Sequence, residues 1–140
     1  MKTLLSLFIF AFIFTISSEA FSQAVPKVTA KTNKKTYSAG ETGVITVSFK
    51  PAKNVKIPKE PDITINITEG VSGTGIQDYT GGAGEYLNAN FVKYNFTVPA
   101  NATSGSTVKI SGTVKFGYCN ADDGICKIAN KNFTATIKIK

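Results

Sequence analysis

The sequence predicts an all-β protein, an antiparallel β-sandwich. Three observations carry that expectation. Apolar and polar residues alternate with a period of two along most of the chain, which puts one face of a strand in a core and the other in solvent. Thr, Val, Ile, Phe and Tyr are plentiful, and clusters of Gly, Pro, Asn and Ser punctuate the runs, as strands and turns require. Beyond residue 24 no stretch keeps an apolar period near that of a helix.

The chain opens differently. Lys2 precedes a nearly unbroken apolar run over 4–16, followed by small and polar residues. This is the layout of a secretory signal peptide at 1–24, with cleavage expected after Ala24 or Ala20. The run is too short to cross the bilayer as a helix, which takes about 20 apolar residues. No cysteine follows it, so a lipid anchor is not expected. Residues 25–140 then form one domain, exported to the periplasm or the exterior, with no membrane span after cleavage and a monomeric state expected.

The strands follow in order. Val28, Ala30 and Thr32 alternate with lysine and threonine, and "TYSAGETG" reads as a turn. "VITVSF" places Ile45, Val47 and Phe49 on one face, and "DITINI" does the same for Ile63, Ile65 and Ile67. "VKYNFTV" alternates through Val92, Tyr94, Phe96 and Val98. "TVKISGTVKFGY" alternates through Val108, Ile110, Val114, Phe116 and Tyr118, with Gly112 a candidate bulge. "FTATIKI" closes the chain with Phe133, Ala135, Ile137 and Ile139. Six or seven short strands are expected, with Pro51, Pro58 and Pro61 at edges or connections. The glycine-rich segment 70–84 is expected to be a long loop: an ordinary connection, or a mobile flap presenting Tyr79.

Composition excludes several function classes. The net charge is +7 with no histidine, so no Ser-His-Asp triad, Cys-His dyad or His-ligated metal is available. Two cysteines cannot complete a Cys₄ site, and no metal or cofactor is expected. Every cation is lysine, scattered along the chain. Without a basic stripe interleaved with aromatics, nucleic-acid binding is not expected. Four N-x-Thr sequons occur, at Asn66, Asn95, Asn101 and Asn132. Three fall inside expected strands, whereas glycosylation acceptors favour surface loops.

The only cysteines lie in "FGYCNADDGICK". Cys119 ends one expected strand and Cys126 sits at the start of the next, around a turn rich in Asn, Asp and Gly. Hairpin geometry brings such ends within about 5.5 Å, which a disulfide can bridge. As a staple the bond is modest: an eight-residue loop removes about 2.5 kcal/mol of unfolded-state entropy in the chain-entropy model. Asp122 and Asp123 disfavour a thiolate nearby, while Lys115 and Lys127 favour one. On the residues alone, a redox-active pair and a local staple stand level.

The segment from about Glu85 to Ile139 resembles the N-terminal periplasmic domain of the thiol:disulfide interchange protein DsbD family. "GTVKFGYCNADDGICKIANKNFTATIKI" is similar in order and spacing: a strand ending in an aromatic or glycine before a cysteine, an Ala-Asp-Gly-type turn, a second cysteine and a closing strand. "VPANATSGSTVKI" resembles the family's proline-containing turn into that strand, and weaker similarity reaches back to about Val28. The resemblance implies an immunoglobulin-like sandwich and a redox-active Cys119/Cys126 couple, with Cys126 attacking and Cys119 resolving. It also implies an aromatic cap loop; "QDYTGGAGEY" stands in that place, making Tyr79 the candidate cap with Asp78 beside it. DsbD itself continues into membrane and thioredoxin-like domains. A stand-alone domain would exchange electrons with protein partners: a thioredoxin-like or membrane electron donor, and disulfide-bearing acceptors. The chain is then expected to be a component of a protein-disulfide reductase. The alternative is a non-catalytic binding or adhesion module with a structural hairpin disulfide.

Overall fold

The computed structural model describes residues 24–76 and 85–140. Among them there is no helix, and nine strands build two sheets: β1 (Lys27–Thr32), β2 (Thr36–Tyr37), β3 (Thr42–Lys50), β4 (Val55–Lys56), β5 (Thr64–Glu69), β6 (Ser72–Ile76), β7 (Phe91–Thr97), β8 (Thr107–Asn120) and β9 (Cys126–Ile139). The first sheet runs β1-β3-β7-β6 and is antiparallel throughout. The second runs β2-β9-β8-β4, with β5 also paired to β8. Its one parallel pairing is the two-residue contact of β2 with the end of β9. The expected all-β sandwich is therefore what the chain forms.

The period-two alternation explains the core. Ile45, Val47 and Phe49 of β3 and Val92 and Phe96 of β7 are buried, as are Ile110, Val114, Phe116 and Tyr118 of β8 and Phe133, Ile137 and Ile139 of β9. These inward faces meet in a single cluster. Aromatic rings centre it: Phe49 and Phe116 lie 4.6 Å apart, and Phe96 meets Tyr37 edge-on at 5.4 Å. The buried Tyr37 ring needs a partner for its hydroxyl, which donates to Asn33 Oδ1 at 2.6 Å and accepts from Lys34 N–H at 3.1 Å. Glu41 secures the following turn by accepting from Lys34 Nζ and Ser38 N–H, bonds that hold its carboxyl below its usual value.

Three strands differ from expectation. β2 and β4 have two residues each, too short for a periodic signal. β6 occupies the front of the segment expected to be a loop over 70–84: residues 72–76 pair antiparallel with β7 despite Gly73 and Gly75. A Cβ at Gly73 would come within 2.5 Å of Tyr94 Oη, so this glycine admits the tyrosine ring. The bulge expected at Gly112 lies instead on the neighbouring strand. β8 pairs with β9 through Gly112 without a shift, while the β5–β8 register slips between Ile67 and Glu69.

Gly112 has a different role, that of close approach. A Cβ there would fall 2.6 Å from Phe133 Cζ and 2.7 Å from the Asn66 carbonyl oxygen. Backbone on one side and a core ring on the other leave no room to yield. Gly112→Val should therefore destabilise the domain by about 3 kcal/mol, the upper part of the overpacking range. A denaturant midpoint equal to that of the wild type would refute the close approach.

Candidate functional site

The site forms where β8 and β9 join. Their ladder runs unbroken from Thr107 opposite Lys138 to Cys119 opposite Cys126. Asn120 N–H donates to the Ile125 carbonyl at 2.9 Å, which makes Asn120 and Ile125 a hydrogen-bonded pair. Cys119 and Cys126, the next pair, are then non-hydrogen-bonded, the position where facing side chains come closest. Their Cα atoms stand 4.0 Å apart and their sulfurs are joined. The separation is shorter than the hydrogen-bonded hairpin spacing expected from sequence, because the cysteines occupy the closer of the two pair types.

The acidic turn builds itself from its own side chains. Asp122 N–H donates to Asn120 Oδ1 at 2.9 Å, and Ile125 N–H donates to Asp123 Oδ1 at 2.8 Å. Gly124 sits at φ +70°, a left-handed conformation suited to glycine. Asn54, in the β3–β4 connection, clasps the turn from outside. Its carbonyl accepts from Ala121 N–H at 2.7 Å, and its side-chain amide donates to Asp122 Oδ2 at 2.5 Å. Both carboxylates are thus engaged in holding the turn.

The two cysteines share the outer face of the second sheet but differ in exposure. Cys119 is only 3% exposed. β4 covers it from one side, with Lys56 directly opposite. Pro58 and Pro61 lie over neighbouring Gly117, where a Cβ would come 3.1 Å from Pro58 Cγ. Cys126 is exposed, as are its neighbours Ile125 (53%) and Ile128 (60%). Ile128 is opposite Gly117 on the same face as Cys126.

The charges are arranged differently from expectation. Lys127 is opposite Tyr118, on the other face of the sheet from the sulfurs, and Lys115 is four residues back along β8. The residue paired with Cys119 across the β4–β8 ladder is Lys56, whose Nζ lies 5.4 Å from the centre of the Tyr86 ring. Tyr86 bridges to Pro58, flanked by bonds from Lys59 N–H to the Glu85 carbonyl and from Leu87 N–H to the Ile57 carbonyl, each 2.8 Å. Lys56 and Tyr86 escaped the sequence reading because a two-residue strand and a single bridge leave no periodic trace.

Tyr79 and Asp78, the candidate cap, lie outside the described residues, as does the signal-peptide segment before residue 24. Among the described residues, no group of three or more His, Cys, Asp or Glu side chains could hold a metal ion. No helix among them is long and apolar enough to cross a membrane. The chain matches no protein-family model and no curated protein.

Proposed function

We propose that this is an exported thiol–disulfide exchange domain, related to the DsbD N-terminal domain, passing electrons between protein partners through Cys119 and Cys126. The observation that carries the proposal is the unequal exposure of the pair. Exchange needs one sulfur that a partner can reach and a second that leaves and returns without wandering. Cys126 is open to solvent at a strand end, whereas Cys119, flanked in the sheet by β4, is 3% exposed. The resemblance of "GYCNADDGICK" to the family's cysteine hairpin assigns the same roles.

When the domain is oxidised, a donor thiolate forms a bond to Cys126 Sγ. The Cys119–Cys126 bond breaks, and its electron pair leaves on Cys119 Sγ. A second donor thiol, deprotonated, displaces Cys126, so the donor becomes a disulfide and the pair gains two electrons. The reduced pair then passes them on by the reverse sequence, Cys126 thiolate attacking an acceptor disulfide and Cys119 resolving the mixed disulfide. Lys56 stabilises Cys119 as the departing thiolate. Two hydrogen bonds from Asn54 and those within the turn keep the hairpin closed while the sulfurs are separated, so the bond is not needed to hold its own loop.

The reduction potential tests this. Equilibration with glutathione should give a value above about −300 mV, in the range of exchange-active disulfides. A value below that would mark a structural staple and favour the binding-module alternative.

A further inference from the structure

The free edge of β9 beside Cys126 suits an incoming strand. β9 pairs with β8 along one edge, and on the other β2 covers only Lys138 and Ile139. Farther up, β1 faces β9 across a shallow groove lined by Val28, Thr29, Ala30, Asn132, Phe133 and Thr134. Over 126–131 no strand pairs with the outer edge among the described residues. Ladder alternation fixes which groups point there. Asn120 and Ile125 are a hydrogen-bonded pair, so Lys127, Ala129 and Lys131 bond inward to β8. The N–H and C=O groups of Cys126, Ile128 and Asn130 point outward. Such a row is a template for strand addition.

We infer that the redox partner docks by adding an extended, acidic, cysteine-bearing segment antiparallel to β9, placing its cysteine opposite Cys126. The inference rests on the exchange function proposed above and names how its partner is recognised. In the new ladder Cys126 is a hydrogen-bonded position, where facing Cα atoms lie about 5.5 Å apart, within disulfide reach. Strands are spaced about 4.8 Å across a sheet. Cys119, Cys126 and the partner cysteine would then form one row perpendicular to the strands. The attacking sulfur approaches Cys126 from the side opposite Cys119, in line with the bond that breaks. The new bond joins the partner sulfur to Cys126, and the electron pair goes to Cys119.

Charge and apolar surface define the segment further. From residue 124 to the end the chain has four lysines and no acid, and Lys127 and Lys131 are exposed on the docking stretch. Opposite charges facing each other across a ladder are favourable. Exposed Ile128 asks for an apolar residue opposite. Read antiparallel, the partner pattern is acidic-x-x-apolar-acidic-Cys.

The probe is an acetylated, amidated peptide, Glu-Thr-Thr-Val-Glu-Cys-Thr, as its symmetrical disulfide, reacted with the reduced full chain carrying Cys119→Ala. Two control peptides are compared, one N-methylated at Val and at the second residue, the other with both Glu replaced by Lys. Mass spectrometry follows conjugation at Cys126, and amide exchange follows Ile128 and Asn130 in the conjugate. The probe should react about ten-fold faster than the methylated control, as two lost backbone hydrogen bonds imply. The lysine control should also be slower, and the Ile128 and Asn130 amides should become protected. One common rate for all three peptides, with those amides still open, overturns strand docking and leaves the exchange reading intact. Failure of every peptide to react overturns both.

Discussion

Cys119→Ala, which leaves Cys126 as the sole thiol, should trap mixed disulfides readily, and Cys126→Ala should not. The difference follows from exposure. Cys126 is open on a strand end, whereas Cys119 is 3% exposed, with β4 beside it and Pro58 and Pro61 over neighbouring Gly117. A thiol so covered reacts only when its cover opens, and local opening has its own free-energy cost. An opening cost of about 2.8 kcal/mol gives a hundred-fold rate difference. With oxidised glutathione at fixed pH, the Cys119→Ala chain should therefore conjugate about a hundred-fold faster than the Cys126→Ala chain. Comparable rates would mean that β4 and the prolines do not guard Cys119, and would remove the attacking and resolving roles. The same pair of variants isolates Lys56. If its charge stabilises the leaving thiolate, adding Lys56→Gln to Cys126→Ala should raise the pH at which the remaining Cys119 thiol ionises. An unchanged profile would leave Lys56 only its place over the Tyr86 ring.

The fold and the position of the cysteines were legible in the sequence for a common reason. Period-two alternation survives wherever a strand has one buried face, so Ile45 to Phe49 and Val108 to Tyr118 announced both their strands and their inward residues. The cysteines bracket a turn made by their immediate neighbours, so their pairing needed no distant information. Everything unforeseen is non-local. Gly112 has the same appearance in sequence whether it relieves a bulge or admits Phe133, and only the packing of β5 and β9 against it decides. Gly73 and Gly75 weaken the strand signal of β6, yet pairing with β7 and the Tyr94 ring hold it in the sheet. The strand beside Cys119 and the prolines over neighbouring Gly117 come from residues 56–61, roughly sixty positions earlier, a two-residue strand and prolines that read simply as a connection. Exposure, the property that separates the two sulfurs, is a tertiary fact.

Removing the largest fully buried rings should harm this domain more than removing its disulfide. Phe96 is completely buried between the sheets, edge-on to Tyr37. Phe96→Ala leaves a cavity that the rigid sheets cannot close and should cost about 3–5 kcal/mol, a large share of the roughly 5–15 kcal/mol that stabilises a typical domain. Cys119→Ala with Cys126→Ala reopens an eight-residue loop, worth about 2.5 kcal/mol at most in the chain-entropy model. The turn retains its bonds from Asn120, Asp123 and Asn54. Urea titrations should therefore show the double cysteine variant folded cooperatively at 25 °C, with a higher midpoint than Phe96→Ala. The proposed exchange requires the sandwich to stand while the disulfide is open, and this ordering would meet that requirement. A cysteine-free chain already unfolded at 25 °C without denaturant would make the bond part of the scaffold and return the domain to the stapled binding-module reading.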